Sequence, residues 1–231
     1  MRLVLLRHGQ SLWNAKNLFT GWIDVDLSEK GEIEAKIAGK ILKQNGIYPQ
    51  ICFTSYLKRA IHTAQLALRE MEWEHIDVLR SWRLNERHYG KWQGKNKLEV
   101  EKEYGKELFF AVRRGYEVPP PPLEPEDPDF DRLYPLEKKY EKIGYMPKSE
   151  SLKETKERVL YYFYEKIVPA MFSLNTVLVA AHGNSLRALI MHIENIDPTE
   201  ISKIEIPTGT PILYRFDRNM KAIHKTILQK D

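Results

Sequence analysis

TVLVAAHGNSLRALI, residues 176–190, is an apolar run that ends in His-Gly and passes straight into a helix-like pattern. The unbroken stretch 176–181 reads as a strand buried on both faces. The helix that follows, over 184–194, offers free backbone N–H groups to an anion at its start. The other end of the chain repeats this grammar. RLVLL, residues 2–6, is a short apolar strand that runs into Arg7, His8 and Gly9, and Gly9 permits close backbone approach.

Strand-like and helix-like segments alternate between these two anchors. Ile33, Ile37, Ala38, Ile41 and Leu42 fall on one face of a helix over 29–45, with Ser28 placed to cap it. Residues 51–54 read as a second strand and 76–80 as a third. Ser55 reads as the cap of a helix over 56–70 with Leu57, Ile61, Ala64, Leu66 and Leu68 as its apolar positions. Ser151 and Glu154 form a capping box for a long amphipathic helix carrying Leu152, Thr155, Val159, Leu160, Phe163 and Ile167. Asp197-Pro198-Thr199-Glu200 reads as one more helix start, and 211–217 with 221–228 as a hairpin turned at Arg218-Asn219. The alternation predicts a three-layer α/β/α fold around a central, mostly parallel sheet. In such sheets ligands sit beyond the carboxyl ends of the strands. His8 and His182 both fall there.

Composition narrows the class. A 231-residue chain with 42% hydrophobic residues is within reach of one domain, and no break in composition argues for two. EVPPPPLEPEDPDF, residues 117–130, is the exception in character: it is either a linker or a long functional loop. No run of eighteen apolar residues predicts a membrane span, and the N-terminus reads as a strand and not as a secretory signal. One cysteine, Cys52, forms no internal pair, and the expected compartment is the cytoplasm. The net charge of +4 is spread among acidic residues without a nucleic-acid motif, and suits a small anionic substrate.

The chemistry-bearing residues cluster in a few motifs. In RHG, a neutral imidazole can form a covalent intermediate, and an adjacent guanidinium can grip phosphoryl oxygens. Alternatively, Arg7 and His8 merely finish a strand, and His182 merely starts a helix. Arg59, in SYLKRAIHTA, gains interest only from that company. Glu86 and Tyr89 lie in LNERHYGKWQGKNK, where a carboxyl group can move protons or simply pair with Arg83 or Arg87. Gly90 through Lys95 narrowly misses a P-loop, being one residue short and followed by Asn96. No H-E-x-x-H or C-x-x-C spacing predicts a metal.

Taken together, RHGQSLWN, FTGWIDVDLSEKG, LNERHYGKWQGKNK, RRGYEVPPPP, AAHGNSLRAL and IPTGTP resemble the cofactor-dependent phosphoglycerate mutases of the histidine phosphatase superfamily. The resemblance runs through nearly the whole chain and implies a phosphoglycerate mutase-like fold with an active-site insertion at about 98–150. It implies the glycolytic and gluconeogenic interconversion of 2- and 3-phosphoglycerate. His8 would carry the phosphoryl group, and 2,3-bisphosphoglycerate would prime it without a metal. A bisphosphoglycerate mutase or phosphatase, or a broad histidine phosphatase, is the alternative. The resemblance places Arg7, Arg59 and His182 around the phosphoryl group with Asn14 and the backbone of Gly183, and gives Glu86 the proton. It assigns the rest of the substrate to Ser11, Thr20, Gly21, Tyr89, Lys97, Arg113, Arg114 and Asn184. It also implies a homodimer or homotetramer. Two departures, Gly115 for a more usual Ser and Trp92 for Leu, touch no proposed catalytic group. The tail after Gln229 is short, which puts closure of the site by the tail in doubt.

Overall fold

The strand pattern builds one six-stranded sheet in the computed structural model, which describes residues 1–133, 138–143 and 146–229. Its strands are β1 (Arg2–Arg7), β2 (Ile51–Thr54), β3 (Asp77–Arg80), β4 (Thr176–Ala181), β5 (Pro211–Phe216) and β6 (Ala222–Ile227). They lie in the order β3-β2-β4-β1-β5-β6. The first four are mutually parallel, and β5 and β6 close one edge antiparallel. Alternate side chains feed opposite faces, as the strand period of two demands. Leu3 and Leu5 join Phe53, Val177 and Val179 in one core, whereas Val4 and Leu6 join Cys52, Leu178 and Ala180 in the other. Each fully buried Leu or Val contributes roughly 1.5–3 kcal/mol, so both faces need helical cover.

The helices, in chain order, are α1 (Leu12–Ala15), α2 (Glu29–Gln44), α3 (Lys58–Glu70), α4 (Lys97–Tyr104), α5 (Lys106–Arg114), α6 (Phe130–Leu133), α7 (Leu152–Tyr162), α8 (Val168–Leu174) and α9 (Gly183–Ile193). Helices α2 and α3 cover the Val4 side, and α7, α8 and α9 cover the Leu3 side. Between β3 and α7, helices α4 and α5 pack on a separate small core of Phe19, Trp92, Val100, Phe109 and Val112. The expected insertion at about 98–150 overlaps this region, and its residues 134–137 and 144–145 lie outside the described residues, as does the tail at 230–231. Residues 117–130 fold back as a strap, with Lys91 N–H donating to Pro121 O and Leu123 N–H to Lys148 O. No described helix is long and apolar enough to cross a membrane.

Several local expectations are corrected. In α2 the buried face is Gly31, Ala35, Ala38, Gly39, Ile41 and Leu42, while Ile33 and Ile37 are exposed. The reason is close helix packing: a Cβ on Gly39 would lie 2.3 Å from Ala67 O of α3, so small residues face inward. Ser55 does not cap α3. The N-cap is Leu57, without a side-chain bond, and Asp24 instead accepts from Lys58 N–H. Between Asp197 and β5 the only helix among the described residues is one short 3-10 helix, Ile201–Lys203, and the Asp197 side chain folds onto Thr199. The long helix from 152 does form, but it passes through one π turn, Phe163–Ile167, between α7 and α8. Pro169 lacks the N–H that an unbroken α-helix would need there, and the wider turn absorbs the loss.

Candidate active site

Parallel register brings the two His-Gly strand ends together. Arg7 pairs with Ala181 across β1 and β4, so His8 follows beside His182, and His8 N–H donates to Ala181 O. Their ring centroids are 5.0 Å apart in an edge-on arrangement. The two rings are not equivalent. His182 is fully buried, with Nε2 2.7 Å from Ser55 Oγ and Nδ1 without a partner among the described residues. His8 lines a cavity of about 420 Å³ at the carboxyl end of the sheet. Gly9 does allow close approach, but to backbone: a Cβ there would lie 2.1 Å from Gly31 O of α2.

The geometry also fixes the protonation of His8. Its Nδ1 lies 2.7 Å from Gly9 O. A carbonyl only accepts, so Nδ1 carries the proton and Nε2 keeps its lone pair. Burial first, then the Arg59 and Arg7 charges, hold the His8 imidazolium well below the ordinary histidine range. The ring is therefore neutral, which is the nucleophilic form. Burial and the same arginines, with His8 itself, depress His182 likewise.

Around His8 the cavity is cationic and rich in donors. Arg59 is buried, its guanidinium anchored on Ile23 O at 3.0 Å and Gly21 O at 2.7 Å. Burial brings it down to about 10, against the opposing pull of Glu86 and Asp24, so it stays charged at neutral pH. Arg7 donates from Nη1 to Ile206 O at 2.6 Å, while its Nε is buried without a partner among the described residues. Thr20 Oγ1 is in the same condition. Such orphaned donors are costly unless a ligand meets them. Asn14 lines the cavity, oriented by its bond to Ser11 N–H. Ser11 itself does not line it: it caps α1 through Asn14 N–H. Glu86 Oε1 accepts from Arg87 N–H at 2.8 Å and from Asn184 N–H at 3.1 Å, at the start of α9. A Cβ on Gly183 would lie 3.5 Å from both Arg7 Nε and Glu86 Oε2, so Gly183 lies where the guanidinium and the carboxylate meet.

Tyr89, Lys97, Arg113, Arg114 and Asn184 line the same cavity. Lys97 opens α4 and Arg113 and Arg114 end α5, so the Phe19–Trp92 core that seats both helices also brings the three cations together. Asn96, which the P-loop comparison singled out, caps α4. The Tyr89 hydroxyl accepts from Arg87 and from Asn184 Nδ2, each at 3.1 Å. Burial pushes that phenol up, but the Arg87 charge and these two bonds outweigh it and leave it lowered. All the residues that the resemblance named therefore line one cavity, except Ser11 and His182.

Four buried residues that support this cavity were given no site role in the sequence reading, where Arg87 stood only as a surface partner for Glu86. Arg87 donates to Val112 O and Arg113 O, and Arg187 donates to Arg114 O, Ile201 O and Asn184 Oδ1. Together they satisfy the C-terminal carbonyls of α5 that an isolated helix leaves open. Arg158 pairs with Glu150 and donates to the carbonyls of Arg83, Asn85 and Glu86. Trp22 Nε1 donates to Glu86 O as well, at 2.6 Å. Arg187 had one legible signal: a single charge in the otherwise apolar helix SLRALI. Among the described residues no group of three or more His, Cys, Asp or Glu is placed to hold a metal.

Comparison with known proteins agrees with this geometry. The family model of the histidine phosphatase superfamily (branch 1) matches residues 3–227. The chain is 54% identical to a 2,3-bisphosphoglycerate-dependent phosphoglycerate mutase of Hydrogenobaculum, over 98% of this chain and 91% of the relative. It is 49% identical to phosphoglycerate mutase 1 of Saccharomyces cerevisiae, over 95% and 89%. Among solved structures it matches a mycobacterial glucosyl-3-phosphoglycerate phosphatase with a TM-score of 0.72 at 20% identity, covering 98% of this chain and 96% of that one. The α-ribazole phosphatase of Shigella flexneri gives a TM-score of 0.71 at 19% identity, covering 100% and 96%. At such identities these two structures speak for the fold alone.

Proposed function

The chain belongs to the histidine phosphatase superfamily, among its 2,3-bisphosphoglycerate-dependent phosphoglycerate mutases, and from that premise we propose that it interconverts 3-phosphoglycerate and 2-phosphoglycerate through a phosphohistidine at His8. The observation that carries this reading is the state of His8: Nδ1–H is held by Gly9 O, which leaves Nε2 its lone pair, and the residue lines a cationic cavity. 2,3-Bisphosphoglycerate supplies the priming phosphoryl group. The orphaned Thr20 Oγ1 and Arg7 Nε, with the cations at both ends of the cavity, suit a ligand carrying two anionic groups.

His8 Nε2 bonds to phosphorus as the ester P–O bond breaks, and the electron pair leaves with the substrate oxygen. Glu86, in its acid form, gives that oxygen its proton. In the return step Glu86 takes the proton from the accepting hydroxyl, which attacks phosphorus, and the electron pair of the N–P bond returns to His8. Arg7, Arg59, Asn14 and the Gly183 N–H spread the charge of the three equatorial oxygens, so catalysis is mainly positioning and charge stabilisation. His182, held to Ser55 through Nε2 and edge-on to the His8 ring, completes the phosphoryl pocket with its unpartnered Nδ1. Lys97, Arg113, Arg114, Tyr89 and Asn184 hold the end that does not react. That grip lets the intermediate reorient without escaping to water. The homodimer or homotetramer remains part of the proposal, and sedimentation would test it.

A coupled assay decides between mutase and phosphatase. Conversion of 3- to 2-phosphoglycerate is expected to rise steeply on adding 2,3-bisphosphoglycerate. Primer-independent release of inorganic phosphate as the main reaction would replace this reading with a general phosphatase.

A further inference from the structure

One anionic group of the chain itself already pairs with a cation that the far-end reading assigns to substrate. Glu205 is part of the cavity lining, and its carboxylate pairs with the Arg114 guanidinium. Its backbone is pinned on both sides. Ile201 O accepts from Arg187 and from Ile204 N–H, and Ile206 O accepts from Arg7. The Glu205 side chain is by contrast 71% exposed, with Arg114 as its ion-pair partner. Arg114 is anchored through its own carbonyl, which accepts from Arg187. So two fixed backbones present an arginine and a carboxylate to each other at the cavity lining, and the carboxylate is the more exposed of the pair.

The neighbouring cations are in a different condition. Neither Lys97 nor the Arg113 guanidinium forms a hydrogen bond or ion pair with a described residue, although each lies over an aromatic ring. Glu205 therefore occupies one of three cations that the far-end reading assigns to substrate.

We propose that Glu205 is an internal stand-in for the far anionic end of the substrate, holding Arg114 until a ligand displaces it. The proposal rests on the far-end role of Arg114 stated above and adds a specificity element to it. A ligand must bring its own carboxylate or phosphate to Arg114 to expel Glu205. A phosphoryl donor with no second anionic end leaves the pair in place and gains nothing from that arginine. The cost to the true substrate is small, because an ion pair this exposed is weak. It corresponds to about a two- to fivefold loss of affinity at low salt, and fades as ionic strength rises.

The test is a double-mutant cycle on binding. The Kd of 3-phosphoglycerate is measured by calorimetry at low ionic strength for the unaltered chain, Glu205→Gln, Glu205→Ala, Arg114→Ala and Arg114→Ala/Glu205→Ala. Inorganic phosphate serves as a probe that lacks a far end. Removal of the carboxylate is expected to tighten 3-phosphoglycerate about two- to fivefold, more than it tightens inorganic phosphate. In the Arg114→Ala background the gain disappears. Unchanged or weaker binding in both Glu205 variants, with Arg114→Ala still weakening binding, overturns the stand-in while leaving the far-end grip intact. A gain that persists without Arg114 overturns it too, because the carboxylate would then act only as a general repulsive charge. Arg114→Ala with an unaltered Kd would instead remove the far-end reading itself.

Discussion

Replacing Glu150 with Gln strands a buried charge directly beneath the proposed proton-transfer residue. The Glu150 and Arg158 side chains are only 5% and 8% exposed. Arg158 donates to both Glu150 oxygens, at 2.6 and 2.9 Å, and to the carbonyls of Arg83, Asn85 and Glu86 at 2.7 to 3.0 Å. The other Glu150 contact, His88 N–H at 2.8 Å, loses its charged acceptor in the same substitution. Removing one partner of a buried pair costs about 3–5 kcal/mol. Domains keep only about 5–15 kcal/mol in all, so this one amide should remove roughly a fifth or more of the stability. Equilibrium urea unfolding reads the difference, and kcat on the folded protein reads the loosened Glu86 backbone, which should fall with it. The double variant Glu150→Met/Arg158→Leu should cost clearly less than the sum of the single changes, because it leaves no charge unpaired. Single variants within about 1 kcal/mol of the parent, or strict additivity, would refute the claim that this pair carries the Glu86 segment.

Arg113→Ala/Arg114→Ala should depress mutase turnover far more than hydrolysis of a small phosphate donor, by about ten- to a hundredfold for each lost charge-assisted bond. Arg59→Ala should harm both alike, and equal losses in the two variants would count against the far-end role. Activity should persist in excess EDTA, since Arg7 and Arg59 meet the phosphoryl charge, and vanadate should inhibit; rescue of an EDTA-treated sample by manganese would contradict this. Stability should fall as the pH drops below about 6.5. His8 and His182 are held well below that value by burial, and His88 is brought down to about 3, chiefly by burial and then by Arg158. Between the folded and unfolded pKa the unfolded chain binds more protons, so stability is full above the unfolded value and is lost towards the folded one. His88 alone accounts for about 2 kcal/mol at pH 5. A stability profile for His88→Gln as steep as that of the parent in acid urea titrations would remove this account.

The positions that local pattern sets were legible in the sequence. An apolar strand followed by His-Gly needs only the strand period and one parallel register to place His8 beside His182. The Ser151–Glu154 box is local chemistry and formed as written. Positions decided by distant partners were not legible. Ser55 looks like a helix cap, but the true competitor for its hydroxyl is His182, 127 residues away. Ile33 and Ile37 look like core, but α3 approaches too closely to admit them, and small residues take that face. Arg87 and Arg158 look like solvated charges because most of their partners are backbone carbonyls, which leave no trace in side-chain spacing. Glu205 lies beside IPTGTP, quoted for its resemblance, and only the fold turns it towards Arg114.

The central claim is that His8, through Nε2, carries the phosphoryl group. Brief reaction with labelled 2,3-bisphosphoglycerate, an alkaline quench and phosphorus NMR with peptide mapping locate the label. The account predicts one acid-labile phosphohistidine, at His8 Nε2, absent from His8→Ala. Label on His182, or on His8 Nδ1, which Gly9 O holds protonated, would contradict it.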